Sequence, residues 1–288
     1  MKTAMPVAYA GFDILYPCLT ALEAAGCHVM EVFTCPTDQK YEFNDQVRAF
    51  AEERHVPCTT ERVTPADLAR LRANGCRLLL SAGYYYLLPV DPELCAVNVH
   101  PALLPEGRGP WPTAWALLNG IERIGVTLHR VGAKFDEGDI VLQEPLDVLP
   151  EDDLETLTDR AAALAADLCA RLVRDFDHLM ASARPQGPGG SWWPMPGKAR
   201  ATITRETSPE QADRILRAVC GFPCWLEGAD GVEREIVRAR FEPGETGLAY
   251  GAESTLPSGA AAIAVNGGRV IVPPAGGRRQ DGADSLPR

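Results

Sequence analysis

Between Pro6 and Ser81 short apolar runs alternate with segments of helical periodicity, and this alternation restricts the fold more than any other feature. Pro6-Val-Ala-Tyr-Ala-Gly11 reads as a strand, and a helical pattern follows through Cys18, Leu19, Leu22 and Ala25 until Gly26 stops it. His28 to Thr34 is strand-like again. Asn44 to Glu53 reads as a helix capped by Asn44, with Val47, Phe50 and Ala51 on one face. Val56 to Cys58 is a short candidate strand. Thr64 and Pro65 open a further helix as N-cap and first-turn proline, it ends at Gly75, and Arg77 to Ser81 is the next strand. Strands separated by helices of about ten residues imply βαβ units, hence a Rossmann-like α/β domain built on a mostly parallel sheet. Ligands of such sheets bind at the carboxyl ends of the strands. That rule directs attention to Ser81–Pro89, Asn98–Gly109 and Phe135–Ile140.

One long helix is expected from Asp152 to about Leu179, because Leu154, Leu157, Ala161, Leu164, Leu168 and Leu172 recur at helical spacing. Pro185-Gln-Gly-Pro-Gly-Gly-Ser191 then reads as a linker. Beyond it lie a helix from Pro209 to Cys220 and short strand-like pieces at Trp225–Leu226, Glu235–Ala239, Ala261–Val265 and Val270–Val272. The expected organisation is a catalytic domain over 1–184, a linker over 185–204 and a small, mostly β, OB-like domain over 205–275. A disordered tail is expected over 276–288.

Composition removes several classes. No window of eighteen apolar residues exists, so a membrane span is not expected. The start of the chain lacks a basic segment followed by an apolar one, which leads to a cytoplasmic expectation. Nine cysteines in that setting read as reduced thiols, and the pair Cys220 and Cys224 has no second pair or nearby histidine to make a zinc site. No metal is expected. A net charge of −11 gives no general attraction to phosphate backbones, so a nucleic-acid partner is not expected.

The chemistry-bearing segment is Asn98-Val-His-Pro-Ala-Leu-Leu-Pro-Glu-Gly-Arg-Gly-Pro110. Residues two apart in a strand point the same way, so Asn98 and His100 project from one side. An imidazole exchanges protons near neutral pH, and an amide N–H stabilises a developing oxyanion. Phe135-Asp-Glu-Gly-Asp-Ile140 supplies carboxylates that orient His100 or trade protons with it. Residue types alone leave general acid/base work, hydrolysis and a His/Asp metal site open, with a solvated turn as the bland reading of the acidic run. His129, alternating with Thr127, reads as a core histidine.

The 98–109 segment resembles the Asn-x-His-x-Ser-Leu-Leu-Pro-x-x-Arg-Gly signature of the folate-dependent formyltransferases. Trp115-Ala-Leu-Leu-Asn-Gly120, Gly125-Val-Thr-Leu-His-Arg130 and Phe135-Asp-Glu-Gly-Asp139 follow in that family's order. Ser81-Ala-Gly-Tyr-Tyr-Tyr86, Gly125-Val-Thr-Leu-His-Arg130 and the short Cys35–Phe43 segment are similar to the enzymes that formylate amino groups of sugar nucleotides, while methionyl-tRNA formyltransferases carry a longer basic loop in place of that last segment. Departures are Ala102 in place of the small polar residue and Glu106-Gly107 before Arg108. Tyr86 stands where sugar-formylating relatives carry a basic residue.

The resemblance implies transfer of a formyl group from 10-formyltetrahydrofolate to a small-molecule primary amine, with an amino sugar on a nucleotide as the expected acceptor. It implies Asn98, His100 and Asp136 as catalytic residues. Asn98 meets the formyl oxygen, His100 acts on the tetrahedral species, and Asp136 holds His100 and takes the amine proton with a raised pKa. Gly83, Tyr84, Tyr85, Tyr86, Leu87, Leu88 and Lys134 are implied around the folate, and Arg108 and Trp111 near the acceptor. Arg108 is equally suited to bracing its loop. The three tyrosines cannot all face one way, so one is expected in the core. A homodimer is left open. Competing readings are formylation of an amino acid, peptide or natural-product amine, formylation of aminoacyl-tRNA, hydrolysis of the formyl-folate, and a non-catalytic folate-binding scaffold.

Overall fold

A computed structural model describes residues 4–38, 40 and 42–274; the tail expected over 276–288 lies outside the described residues. The chain forms two compact units, one from residues 4–116 and 121–195, the other from 117–120 and 196 onward.

The first unit is built on a seven-stranded sheet ordered β3-β2-β1-β4-β5-β6-β7. Its strands are β1 (Pro6–Gly11), β2 (His28–Phe33), β3 (Cys58–Thr59), β4 (Leu78–Ala82), β5 (Cys95–His100), β6 (Arg123–Arg130) and β7 (Ile140–Asp147). The first five run parallel, joined by α1 (Tyr16–Ala24), α2 (Asp45–Glu53) and α3 (Pro65–Ala73). β6 and β7 are antiparallel additions after α4 (Pro112–Asn119). The mostly parallel Rossmann-like arrangement read from the sequence is thus present. The order reverses at β1, whose neighbours are β2 and β4.

Capping explains two helix starts. Thr64 accepts from the Asp67 N–H and Asp67 answers to the Thr64 N–H, a complete capping box with Pro65 in the first turn. Asn44 does not cap α2 through its side chain as the sequence suggested; its amide donates to the Cys35 carbonyl at 2.8 Å. The carboxylate of Asp13, from the turn after β1, accepts the Gln46 and Val47 N–H groups at 3.1 and 3.0 Å. A cap supplied from thirty-odd residues away is invisible to local sequence patterns. Asp13→Ala is expected to destabilise the protein by about 1 kcal/mol, read as a lower urea midpoint at unchanged slope.

The long helix expected over Asp152–Leu179 is two helices, α5 (Leu154–Arg174) and α6 (Phe176–Ala181). Asp175, at φ −126° and ψ 39°, interrupts the ladder between them. α5 packs its Ala161, Ala165, Leu168 and Leu172 face, with Leu19 and Leu22 of α1, against Val97, Val99, Val126 and Leu128 of the sheet. This burial of large aliphatics holds the unit together at roughly 1.5–3 kcal/mol per side chain.

The period-2 alternation of β5 and β6 sets up the rest. Their odd-numbered valines and even-numbered apolar partners face that core, so Asn98, His100, Thr127 and His129 share the opposite face. Asn98 is paired in register with His129, and His100 with Thr127.

The second unit is small and mostly β. A three-stranded sheet contains β8 (Thr202–Ile203), β9 (Cys224–Glu227) and β10 (Glu233–Ile236). A four-stranded sheet contains β11 (Arg240–Pro243), β12 (Glu253–Thr255), β13 (Ala261–Val265) and β14 (Gly268–Val272). α7 (Pro209–Ala218), capped by Ser208, places Ala212, Ile215 and Leu216 in their common core.

Candidate active site

The polar face of β5 and β6 is covered by loops rather than helices. The first is the turn after His100. Thr127 Oγ1 donates to the Ala102 carbonyl at 2.6 Å and accepts the Leu104 N–H, and Gln143 reaches both Thr127 and the Leu104 carbonyl. These bonds fold residues 101–109 back over the strand. The Gly107 carbonyl then accepts from His100 Nε2 at 2.7 Å. Gly107 must be glycine on two counts: its φ is +75°, and a Cβ there would lie 2.8 Å from the Trp193 ring.

The second loop is residues 131–139. Because β6 is antiparallel, this loop leaves the sheet beside Ala96, whose carbonyl takes the Val131 N–H, and not at the carboxyl edge of a parallel strand as the sequence rule implied. The loop brings Asp136 onto the same face as Asn98 and His100. Asp136 sits at φ 58°, a left-handed conformation uncommon outside glycine and asparagine-like residues. Its Oδ2 accepts the Gly109 N–H at 2.9 Å, and its Oδ1 lies 3.5 Å from His100 Nδ1 and 3.6 Å from His129 Nε2.

The hydrogen-bond pattern fixes where protons reside. A carbonyl only accepts, so His100 carries hydrogen on Nε2 and its Nδ1 lone pair faces the Asp136 carboxylate. His129 donates through Nδ1 to the Arg130 carbonyl at 2.8 Å, which leaves its Nε2 to accept from Asn98 Nδ2 at 3.1 Å. One amide hydrogen of Asn98 is thereby taken; the other meets no acceptor among the described residues. Asn98 is half-buried, whereas His100, His129 and Asp136 are buried.

Electrostatics follow burial. Burial pushes the His100 pKa below its ordinary value, against the pull of the Asp136 charge and the Gly107 bond, so the imidazole is neutral at pH 7. For Asp136, burial acts upward. The His129 contact, the His100 imidazole and the Gly109 N–H outweigh it and hold the carboxyl below its usual range. The raised value expected from the sequence is therefore corrected: Asp136 is an anion at neutral pH, its Oδ2 accepting the Gly109 N–H and its Oδ1 facing the two imidazoles.

The remaining expected residues divide. Tyr84 is buried; its hydroxyl accepts the Val63 N–H at 3.1 Å, and the ring packs edge-on to Tyr86. Leu88 is likewise core. These two side chains are buried, which leaves their backbone groups to meet a ligand. Tyr85 is 42% exposed and rests on Phe12, Leu87 is exposed, and Arg62 lies over the Tyr86 ring. Gly83 follows directly on the Ala82–Val99 register pair, which places this loop next to β5. Lys134 is solvent-facing and pairs with Glu137 at 3.3 Å. Arg108 is engaged by Gln186, the loop-bracing role, and Trp111 is half-buried at the start of α4. His129, read as a core histidine, is buried with both ring nitrogens hydrogen-bonded, and it also lies against Asn98 and Asp136. Its signal was the two-residue step from Thr127, which acquires meaning only once β6 is known to pair with β5.

An amide donor, a neutral imidazole with an open nitrogen and an anionic carboxylate now share one sheet face, the groups acyl transfer needs. Residues 18–173, more than half of the chain, match the family model described as formyl transferase. The chain belongs to the formyl transferase family. The chain is 35% identical to the methionyl-tRNA formyltransferase of Syntrophus aciditrophicus over 64% of its own length and 62% of that enzyme's. The sugar N-formyltransferase of a Shewanella species has a similar fold, with a TM-score of 0.63 at 16% identity over 81% of this chain and 96% of that one. So does HypX from Aquifex aeolicus, crystallised with tetrahydrofolic acid, at a TM-score of 0.71 and 16% identity over 94% of this chain and 44% of HypX. The chain thus spans less than two thirds of the length of the first relatives it matches.

Proposed function

We propose that this chain transfers the formyl group of 10-formyltetrahydrofolate to a primary amine, and that the acceptor is a small molecule, an amino sugar carried on a nucleotide. The observation that carries the reading is the convergence of the unpaired Asn98 N–H, His100 Nδ1 and the Asp136 carboxylate on one face of β5 and β6. The residues present fit a reduced folate. The loop after β4, which leaves that strand next to β5, offers the exposed Tyr85 and Leu87 as cover for a flat ring. The HypX complex with tetrahydrofolic acid supports the same choice of carrier.

The formyl-folate supplies an acyl group on a nitrogen that can leave. Asn98 donates its second amide hydrogen to the formyl oxygen as negative charge grows there. The acceptor amine must be neutral to attack. His100 Nδ1 takes the proton that the nitrogen sheds as the new C–N bond forms, and Asp136 Oδ1 stabilises the resulting imidazolium. His100 returns that proton to the departing folate nitrogen, so charge and protons balance. Loops 101–109 and 131–139 bury the proton-handling pair and shield it from water.

A small acceptor is supported by the net charge of −11 and the short 35–43 segment with its single lysine. The Shewanella sugar enzyme supports it too. A second reading, formylation of methionyl-tRNA, is favoured by the Syntrophus relative. The two are separated by incubating the protein and 10-formyltetrahydrofolate with nucleotide amino sugars, free amino acids or charged initiator tRNA, following free tetrahydrofolate and acceptor mass. Folate release with a nucleotide amino sugar, and a formyl adduct on it, is the expected outcome. Adducts on tRNA alone replace the acceptor; release with no acceptor present makes the protein a hydrolase.

A further inference from the structure

The segment after α6, read from its composition as a linker, runs across the site. The Ile140 and Arg184 backbones exchange hydrogen bonds at 2.8 and 3.0 Å, which brings the chain back to the foot of the 131–139 loop. Two residues on, the Gln186 amide makes four contacts. Its Nε2 donates to the carbonyls of Asp136 and Gly138 at 2.7 and 2.9 Å, and its Oε1 accepts from Arg108 Nε and Nη2 at 3.1 and 2.6 Å. Further on, Ser191 Oγ accepts the Gly107 N–H at 3.0 Å, the Ser191 carbonyl takes the Arg108 N–H, and Trp193 N–H donates to the Arg108 carbonyl. The strap therefore touches both loops: the one whose Gly107 carbonyl holds His100, and the one that carries Asp136.

We infer that Gln186 is a positioning residue of formyl transfer, setting the separation between the Asp136 carboxylate and His100 by tying the 131–139 loop to Arg108. This rests on the proposed activity. It concerns a residue beyond the 18–173 matched to the family. The physical basis is the left-handed backbone at Asp136, with φ of 58°. Such a conformation persists only when neighbours over-determine it, and the Asp136 carbonyl is fixed by the Gln186 amide. Without that donor the peptide is released to rotate, and the carboxylate leaves the position where Gly109, His100 and His129 meet it. The charged groups facing Asp136 are few. His100 and His129 come from the strands, Arg108 is held on the far side of Gln186, and Lys134 and Glu137 in its own loop pair with each other.

Two isosteric variants divide the roles. Gln186→Met removes all four hydrogen bonds. Gln186→Glu keeps an acceptor for Arg108 but has no donor for the Asp136 and Gly138 carbonyls. Both are expected to lower kcat by about a hundredfold, the scale of an ångström's misplacement, with KM for the formyl donor changed by less than about threefold. Full kcat in Gln186→Glu would show that the residue merely anchors Arg108 and overturns the inference. A readout independent of turnover is the midpoint of the His100 imidazole resonance on pH titration by NMR. Asp136 raises that midpoint in the intact protein, so it falls in Gln186→Met when the carboxylate moves away. An unchanged midpoint also overturns the inference. If the intact protein transfers no formyl group to any acceptor, the proposed activity fails while the titration still decides the role of Gln186. Should Gln186→Met not fold, Gln186→Asn, which withdraws the amide by one methylene, takes its place under the same two criteria.

Discussion

Asp136→Asn is expected to lower kcat for formyl transfer by about two to four orders of magnitude while leaving the circular dichroism spectrum and melting temperature close to those of the intact protein. The asparagine carbonyl oxygen can still accept the Gly109 N–H that Oδ2 accepts, so the local fold is kept. What disappears is the negative charge 3.5 Å from His100 Nδ1. In the proposed mechanism that nitrogen receives the amine proton and the carboxylate compensates the imidazolium. In the variant the imidazolium is buried without a counter-ion, which is costly in a low-dielectric interior. A variant turning over within about threefold of the intact protein, in single-turnover measurements of the chemical step, would remove Asp136 from catalysis.

The same pair dictates the pH dependence. His100 must be neutral to accept a proton, so activity rises with pH through the His100 pKa, which burial sets below the ordinary imidazole value. Asp136 opposes that depression. The residual activity of Asp136→Asn should therefore show its acidic limb at lower pH than the intact protein. Stability carries the matching sign. The unfolded chain binds a proton at His100 more readily than the folded one, so stability falls as pH drops below about 6.5, the unfolded imidazole value, toward the lower folded value. Asp136, whose folded pKa is lowered by its hydrogen bonds, contributes stability above its unfolded value that is lost as pH falls further.

The legible and illegible parts of this molecule separate along a physical line. Apolar periodicity gave β1 to β4 and their helices within a few residues, because each element buries one face against the sheet and needs only its own sequence to say so. The Asn98 and His100 pair was legible for the same reason, a two-residue step on a strand. The long-range partners were not. Asp13 caps α2, β6 turns antiparallel to β5, His129 faces Asn98, and Gln186 clamps Asp136; each depends on which strand lies beside which. The Pro- and Gly-rich 185–191 stretch was legible as irregular chain but not in its contacts. Those residues shape an extended strap with no helix or strand of its own, and its hydrogen bonds reach residues far away in sequence.

Asn98→Ala is expected to reduce kcat by about two to three orders of magnitude, the usual loss when one preorganised oxyanion donor is removed. His129 orients this donor. With hydrogen on Nδ1, fixed by the Arg130 carbonyl, its Nε2 can only accept, and Asn98 is the donor it meets. That bond locks the amide so that its oxygen cannot swing to the formyl side, and the second N–H is aimed before substrate arrives. Binding of the folate precedes charge development, so the donor KM should move far less than kcat. His129→Leu gives the graded counterpart: Asn98 stays but loses its orienting acceptor, and about a tenfold fall in kcat is expected, smaller than the loss in Asn98→Ala. If Asn98→Ala retained full kcat, the formyl oxygen would have to find its donor elsewhere, and the polar face of β5 and β6 would not be where the chemistry occurs.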